Sequence, residues 1–129
     1  MTKLFLAEEG SDHSRDLWTR TAPLVSSRIT YAETSAAIAS ARRARRLSRQ
    51  AMADALRRLS TEWETVTAVD VDEVTATAAG ALAVRHGLRG MDAIHLASAL
   101  LFARARPVVV TWDVELRRAA SAEGLAVVA

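Results

Sequence analysis

The sequence predicts an α/β fold in which helices flank a mostly parallel sheet. Stretches with apolar residues at helical spacing alternate with short apolar runs, a pattern typical of this class. The run over 108–112 is the clearest, because a parallel strand that is buried on both faces is continuously apolar. At 129 residues the chain is long enough to bury its own core, so we expect residues 1–129 to form a single domain.

The first half of the chain is predicted to be mainly helical. A short helix over 2–8 precedes a second one over 11–21, which Ser11 can cap and Pro23 stops. Residues 24–26 are expected to form a weak strand.

Two longer helices follow in the sequence. The first is expected over 30–46, and Ser48 is expected to cap the second, which reaches about Trp63. Together they predict a helical arm over 30–63.

The second half alternates more regularly between helices and strands. Gly87 and Gly124 each follow a helical stretch and can adopt the left-handed conformation that closes a helix. The predicted elements are a strand over 65–69, a helix over 71–86, a helix with Asp92 in its first turn, a strand over 108–112, a helix over 114–123 and a strand over 125–128.

The composition excludes several classes of protein. Without cysteine the chain has no disulfides and no Cys-type zinc site, which fits a cytoplasmic protein. The start, MTKLFLAEEG, has too short an apolar core for a signal peptide. No later run approaches the length of a membrane span, so we expect no membrane partner.

Arginine dominates the positive charge of the chain. All but one of the 17 basic residues are arginine, although the net charge is only +2. Arg42, Arg45, Arg46 and Arg49 are spaced so that they would share one helix face. Because guanidinium groups match phosphate and carboxylate geometry, this face is a candidate surface for RNA or for acidic groups, although an ordinary solvated helix face is the preferred explanation.

Two aspartates lie where an α/β sheet places its ligands. Asp113 directly follows the strand over 108–112, and Asp92 lies in the first turn of a helix, two residues after Gly90. We expect both at helix starts beside the carboxyl edge of the sheet, where such folds bind ligands. Each also has a simpler explanation, since Asp113 can cap the next helix and Asp92 can favour the helix dipole.

Glu33 is the third acidic candidate, one turn into a helix. Its alternative role is a capping box, in which Thr30 and Glu33 satisfy each other's backbone amides.

The three acids together predict a metal site. Carboxylates held close together cannot all ionise comfortably without a cation. Hard oxygen ligands without Cys or His select Mg²⁺ or Mn²⁺ over zinc. Such an ion lowers the pKa of a bound water and neutralises charge on phosphoryl oxygens, which is the chemistry of phosphodiester hydrolysis.

These motifs, in this order, resemble those of the PIN-domain ribonucleases, specifically the VapC-like toxins of bacterial type II toxin–antitoxin systems. The resemblance covers essentially the whole chain. The motifs are KLFLAEEGS at 3–11, YAE at 31–33, GMDAIHLASAL at 90–100, and VVTWDVEL at 109–116 with a closing strand after Gly124.

The resemblance implies a PIN-like three-layer sandwich and a metal-dependent endoribonuclease. Glu33, Asp92 and Asp113 would be its catalytic acids and would bind Mg²⁺ or Mn²⁺, with Thr111 as a supporting hydroxyl. It further implies an RNA substrate, a homodimer, and a cognate antitoxin whose helix or tail occupies an apolar groove near the acids.

One feature of the family has no counterpart in this sequence. Members normally begin with an apolar strand that ends in Asp, whereas Met1 to Lys3 already lie within the helix that follows. We therefore expect the first acidic residue to be missing, through an internal start or because the protein is degenerate. Two other functions stay open: an inactive PIN-like module that binds RNA or a partner, and an α/β interaction protein whose acids only cap helices.

Overall fold

A computed structural model describes residues 23–128 of the chain. The helices predicted over 2–8 and 11–21 lie outside the described residues. The described part contains five α-helices and four short strands, and it divides into two compact units, one ending at Thr67 and the other beginning at Ala68. None of the described helices is long and apolar enough to cross a membrane.

The first unit is dominated by a pair of packed helices. Its core contains Ile38, Ala41 and Leu59, and the rings of Tyr31 and Trp63 meet edge to face with centroids 5.6 Å apart. This contact holds the start of the first helix against the end of the second. The elements are β1 (Leu24–Ser27), α1 (Ile29–Arg43), α2 (Arg49–Trp63) and β2 (Val66–Val69), with β1 paired to β2. The boundary between the two units falls within β2.

Helix α1 ends earlier than the sequence predicts. It was expected to run through Arg46, but it ends at Arg43 because Arg45 adopts a left-handed conformation with φ of 58°. The Arg46 N–H donates to Ala41 O at 2.9 Å, and the Arg45 N–H donates to Arg42 O at 3.0 Å. These two bonds form a Schellman motif, which satisfies the last carbonyls of the helix.

Helix α2 begins where its cap was predicted. Ser48 is the N-cap, and its Oγ accepts a hydrogen bond from the Ala51 N–H at 3.0 Å. Such a cap satisfies one of the free amides of the first turn. The turn between α1 and α2 is therefore closed by hydrogen bonds on both sides.

The second unit contains a parallel strand pair and three helices. The parallel pairing of its two strands, with Val108 opposite Ala126 and Val110 opposite Val128, confirms the α/β prediction. The elements are α3 (Glu73–His86), α4 (Gly90–Leu100), a 3₁₀ turn (Ala103–Ala105), β3 (Val108–Val110), α5 (Val114–Ala122) and β4 (Ala126–Val128).

The core of the second unit is built from alanine and leucine in equal numbers. Helix α3 makes its most extensive contact with α4, and α4 also packs against α5. Ala93, Ala119 and Ala120 are completely buried in this core. Because alanine has no side chain beyond Cβ, the backbones of these helices can approach closely.

Strand β3 is less buried than expected. Val108 and Val110 are 58% and 44% exposed, whereas Val109 is half-buried against the core. The expectation of burial on both faces was therefore wrong. Valine has a high β propensity on a half-buried strand as well, so an apolar run does not by itself report two buried faces.

An ion-pair network joins the ends of α3 and α5. Glu123 Oε1 accepts hydrogen bonds from His86 Nε2 at 2.7 Å and from Arg85 at 2.9 Å. A guanidinium nitrogen of Arg118 donates to the His86 carbonyl at 3.2 Å. The hydrogen bond from His86, followed by that from Arg85, holds the pKa of Glu123 below its usual range.

Candidate functional site

Asp113 lies just beyond the carboxyl end of β3, as predicted. The Thr111 N–H donates to Val128 O at 3.1 Å and extends the β3–β4 ladder by one bond. The Asp113 N–H then donates to Thr111 Oγ1 at 3.1 Å, and Asp113 Oδ1 accepts the Leu116 N–H at 2.8 Å. The expected N-cap role of Asp113 is confirmed. Capping engages one oxygen of an exposed carboxylate, so it leaves room for a ligand role.

Asp92 is the third residue of α4, in the first turn as predicted. It is half-buried, and its neighbour Ala93 is completely buried in the core. The positive end of a helix favours a carboxylate at this position. Close packing of α4 therefore fixes the backbone that carries the Asp92 side chain.

Glu33 is the fifth residue of α1 and is half-buried. Helix α1 begins at Ile29 with Arg28 at the N-cap position, so Thr30 lies inside the helix and not at its cap. The Thr30 hydroxyl instead shares a 2.8 Å hydrogen bond with the Ser26 hydroxyl. The capping-box interpretation is therefore wrong, and this simpler explanation of Glu33 is removed.

Ser27 is a residue that the sequence did not single out. It is the last residue of β1, and it is only 2% exposed. Its hydroxyl has no hydrogen-bond partner within residues 23–128. A buried hydroxyl without a partner costs about 1–3 kcal/mol, so its presence two residues before the start of α1 calls for an explanation.

The structure brings some, but not all, of the predicted site residues together. Thr111 binds directly to the Asp113 backbone, and Asp92 lies with them in the second unit, whereas Glu33 belongs to the first. No three Asp, Glu or His side chains of residues 23–128 are grouped as a metal ligand set. The convergence of the three acids stays a prediction. Their carboxylate oxygens are nevertheless hard donors of the kind that Mg²⁺ and Mn²⁺ prefer.

A shallow cavity lies at the other edge of the β3–β4 pair. It has a volume of about 260 Å³ and adjoins the amino-terminal ends of both strands. Asp113 lies at the carboxyl edge, so this cavity is not the acidic site. The lining residues are Ala103, Arg106, Pro107, Gly124, Leu125 and Ala126.

The four arginines predicted to line one helix face do not share a helix. Arg42 lies in the last turn of α1, Arg45 and Arg46 lie in the connecting turn, and Arg49 is the first residue of α2. The helix-face prediction was wrong because α1 ends at its Schellman motif. Arg43, which the assumed helix face left out, lies in the same place. We call this group (Arg42, Arg43, Arg45, Arg46 and Arg49) the arginine corner.

Comparisons with known proteins agree with the motifs. The PIN domain family matches residues 1–122. Two similar proteins are Ribonuclease VapC45 of Mycobacterium tuberculosis (strain CDC 1551 / Oshkosh) and Ribonuclease VapC49 of Mycobacterium tuberculosis (strain ATCC 25618 / H37Rv). Each is 39% identical over 122 residues, which cover 95% of this chain and 85% of the relative. With a family match over most of its length and relatives of this similarity, the chain belongs to the PIN-domain family.

Proposed function

We propose that this PIN-domain protein is an endoribonuclease that depends on Mg²⁺ or Mn²⁺, with Glu33, Asp92 and Asp113 as its metal-binding acids. The observation that carries the proposal is Asp113, an exposed carboxylate at the carboxyl edge of a parallel strand pair. The likeness to two proteins named ribonucleases supports RNA as the substrate.

Each residue of the proposed site has its own role. Thr111 is a positioning residue, because its hydroxyl holds the Asp113 backbone. Asp92 is carried on a closely packed helix, which limits how far its carboxylate can move. When bound, the divalent ion neutralises charge on the phosphate oxygens and lowers the pKa of a water molecule. Glu33 would supply the third carboxylate.

The proposal also covers the partner, the assembly and the cellular location of the protein. The resemblance to VapC-like toxins supports a cognate antitoxin as the neutralising partner and a homodimer as the assembly. The family match over residues 1–122 supports one PIN domain made from both units. An RNA-cleaving enzyme must meet its substrate, so we place the protein in the cytoplasm.

A second candidate is a PIN-like module that binds RNA or a partner without cutting. One observation favours it: the part of the chain from 23 to 128 contains no three-residue group of metal-ligating side chains. The two candidates differ in whether a divalent metal raises the Tm of the protein and starts RNA cleavage.

The test combines RNA cleavage with thermal melting of the full chain. Mn²⁺ or Mg²⁺ at millimolar concentration should start cleavage, and EDTA should stop it. The ion should also raise the Tm by mass action, because it binds the folded state. Asp92→Asn and Glu33→Gln should abolish cleavage and reduce this Tm gain.

Glu73→Gln is the matched control, because Glu73 is a first-turn acid on α3 with no proposed ligand role. It should leave cleavage and the metal-induced Tm gain unchanged. If the wild-type protein leaves RNA uncleaved in the presence of Mn²⁺ and its Tm does not change, the binding module is favoured over the nuclease.

A further inference from the structure

We infer that the arginine corner is a docking surface for the phosphate backbone of single-stranded RNA. The inference rests on the proposed ribonuclease function, and it names residues other than the acids that bind the substrate. Of its five side chains, four are exposed and Arg42 is half-buried.

The arginines of the corner form a cluster of positive charge in a stretch of sequence that contains no acidic residue. Within residues 23–128, none of the five forms an ion pair with a carboxylate. No Asp or Glu occurs in the sequence between Glu33 and Asp54. Elsewhere the structure pairs arginines with acids: Arg57 with Asp54, Arg58 with Glu62, Arg85 with Glu123, and Arg118 with Glu115. Among the described residues, no carboxylate therefore neutralises the positive charge of the corner.

Arg45 occupies a position where glycine would be more favourable. The helices α3 and α5 both end with glycine in the left-handed conformation, at Gly87 and Gly124. Helix α1 ends with Arg45 in that conformation, although a side chain with a Cβ makes it strained. Glycine would relieve this backbone strain, so the presence of arginine indicates a role for its side chain.

The corner is also held in one shape. The Schellman bonds fix the end of α1, and the Ser48 cap fixes the start of α2, so both sides of the turn are closed. Helix α2 has no acidic residue in its first turn, and its positive end adds to the arginine charge. Because the backbone of the corner is already fixed, only the arginine side chains lose conformational entropy when they bind phosphates.

The chemistry of the corner favours RNA over an acidic protein. Protein interfaces rely on buried aromatic or aliphatic anchors at their centre. Over residues 42–50 the chain offers Leu47 as its only large apolar side chain, and Leu47 is half-buried. Guanidinium groups that bind phosphates release counterions, which drives association without apolar contact.

The test measures RNA binding in the absence of cleavage. Fluorescence anisotropy of the full chain with a labelled single-stranded RNA of about 20 nucleotides is recorded in EDTA, from about 50 to about 200 mM salt. Arg45→Gln/Arg46→Gln removes two charges from the corner. Arg57→Gln/Arg58→Gln is the matched control, because it removes two adjacent exposed charges that already have acidic partners.

The corner variant should bind about tenfold or more weakly at about 100 mM salt, and its salt slope should fall by about 1.4, or 0.7 per phosphate contact. The control should change neither value appreciably. Arg45→Gly separates binding from structure: its Tm should hold or rise, while RNA affinity falls about fivefold. A corner variant that matches the control overturns the inference, and so does a wild-type protein without RNA affinity.

The experiments distinguish failure of the nuclease proposal from failure of the docking inference. Corner-dependent binding without cleavage in Mn²⁺ would remove the nuclease and leave the docking surface standing. If the protein cleaves RNA in the presence of metal but the corner variant binds RNA as well as the wild type does, the nuclease proposal stands and the docking surface is refuted. An acidic protein would then be the candidate partner of the corner.

Discussion

Substitutions at Asp113 should separate its two tasks, capping α5 and providing a charged oxygen. Asp113→Asn keeps the cap, since asparagine caps helices as well as aspartate does, but it removes the negative charge. Asp113→Ala removes both. The two variants should therefore differ in stability and agree in their loss of cleavage.

The structure sets the expected magnitudes. The cap bond from the Leu116 N–H to Asp113 Oδ1 is 2.8 Å, and losing such a cap costs about 1 kcal/mol. For a chain of 129 residues this lowers the Tm by about 4 °C. Asp113→Asn should lower the Tm by less than about 2 °C. Cleavage should fall about 100-fold or more in both variants, because a lost metal ligand removes several kcal/mol of charge stabilisation.

Asp72 provides the matched control. It caps α3 with the same geometry, since the Thr75 N–H donates to Asp72 Oδ1 at 2.8 Å. This bond from the Thr75 backbone holds the pKa of Asp72 below its usual range. Asp72→Ala should lower the Tm about as much as Asp113→Ala while leaving cleavage intact.

The assays are melting followed by circular dichroism and cleavage of a labelled RNA in Mn²⁺. An Asp113→Asn variant that cleaves RNA at the wild-type rate would refute the ligand role. Equal loss of cleavage in the Asp72 and Asp113 variants would show that the assay reports helix stability and not metal binding.

Three further outcomes are expected. Because His86 and a neighbouring arginine lower the pKa of Glu123, its ionised form stabilises the fold above about pH 4.3, and that contribution is lost as the pH falls through the lowered pKa. Glu123→Gln should therefore flatten the acid side of a Tm–pH profile, and identical acid sides would contradict this. Ser27→Ala should leave the Tm unchanged or raise it by a few degrees, because it removes a buried hydroxyl that has no hydrogen-bond partner within residues 23–128; a clear fall in urea-monitored stability would mean that the hydroxyl is satisfied. Ala93→Leu should destabilise the protein by about 1–3 kcal/mol in denaturant titration, whereas exposed Ala81→Leu should not, and similar losses would argue against the close packing of α4.

Several element boundaries could be predicted because a single residue determines each of them. Ser48 and Asp113 cap their helices as expected, since their side-chain oxygens accept amides only three residues away. Gly87 and Gly124 close helices because they tolerate positive φ. In all four cases the cause lies within one turn of the chain, where a sequence can be interpreted directly.

Other boundaries depend on more than local chemistry. Alanine and arginine both favour helix, so nothing in the residues around Arg45 indicated that α1 would end there. Thr30 and Glu33 have the spacing of a capping box, but α1 begins one residue before Thr30 and the pattern falls inside the helix. The exposure of Val108 and Val110 depends on which elements cover β3, and a strand's own sequence does not specify that.

The candidate site shows the same division. The position of Asp113 could be predicted from its strand and its helix, both of which are local. The burial of the Ser27 hydroxyl, which has no partner among the described residues, could not be predicted, because burial depends on packing between distant segments. Arg43 was missed because its role was judged from helix periodicity, whereas the charge count over 42–49 would have included it.

The alanines of the core of the second unit have a consequence for how this protein can evolve. At Ala93, Ala119 and Ala120 no smaller side chain is available except glycine, and a larger one displaces backbone. Helix α4, which carries Asp92, is thus among the segments least able to accept change. Sequence drift should instead accumulate at solvent-facing positions of α3, such as Val74 and Val84, where new side chains meet no neighbours. Natural variants that lose activity should accordingly include core alanine substitutions that move Asp92 without touching it.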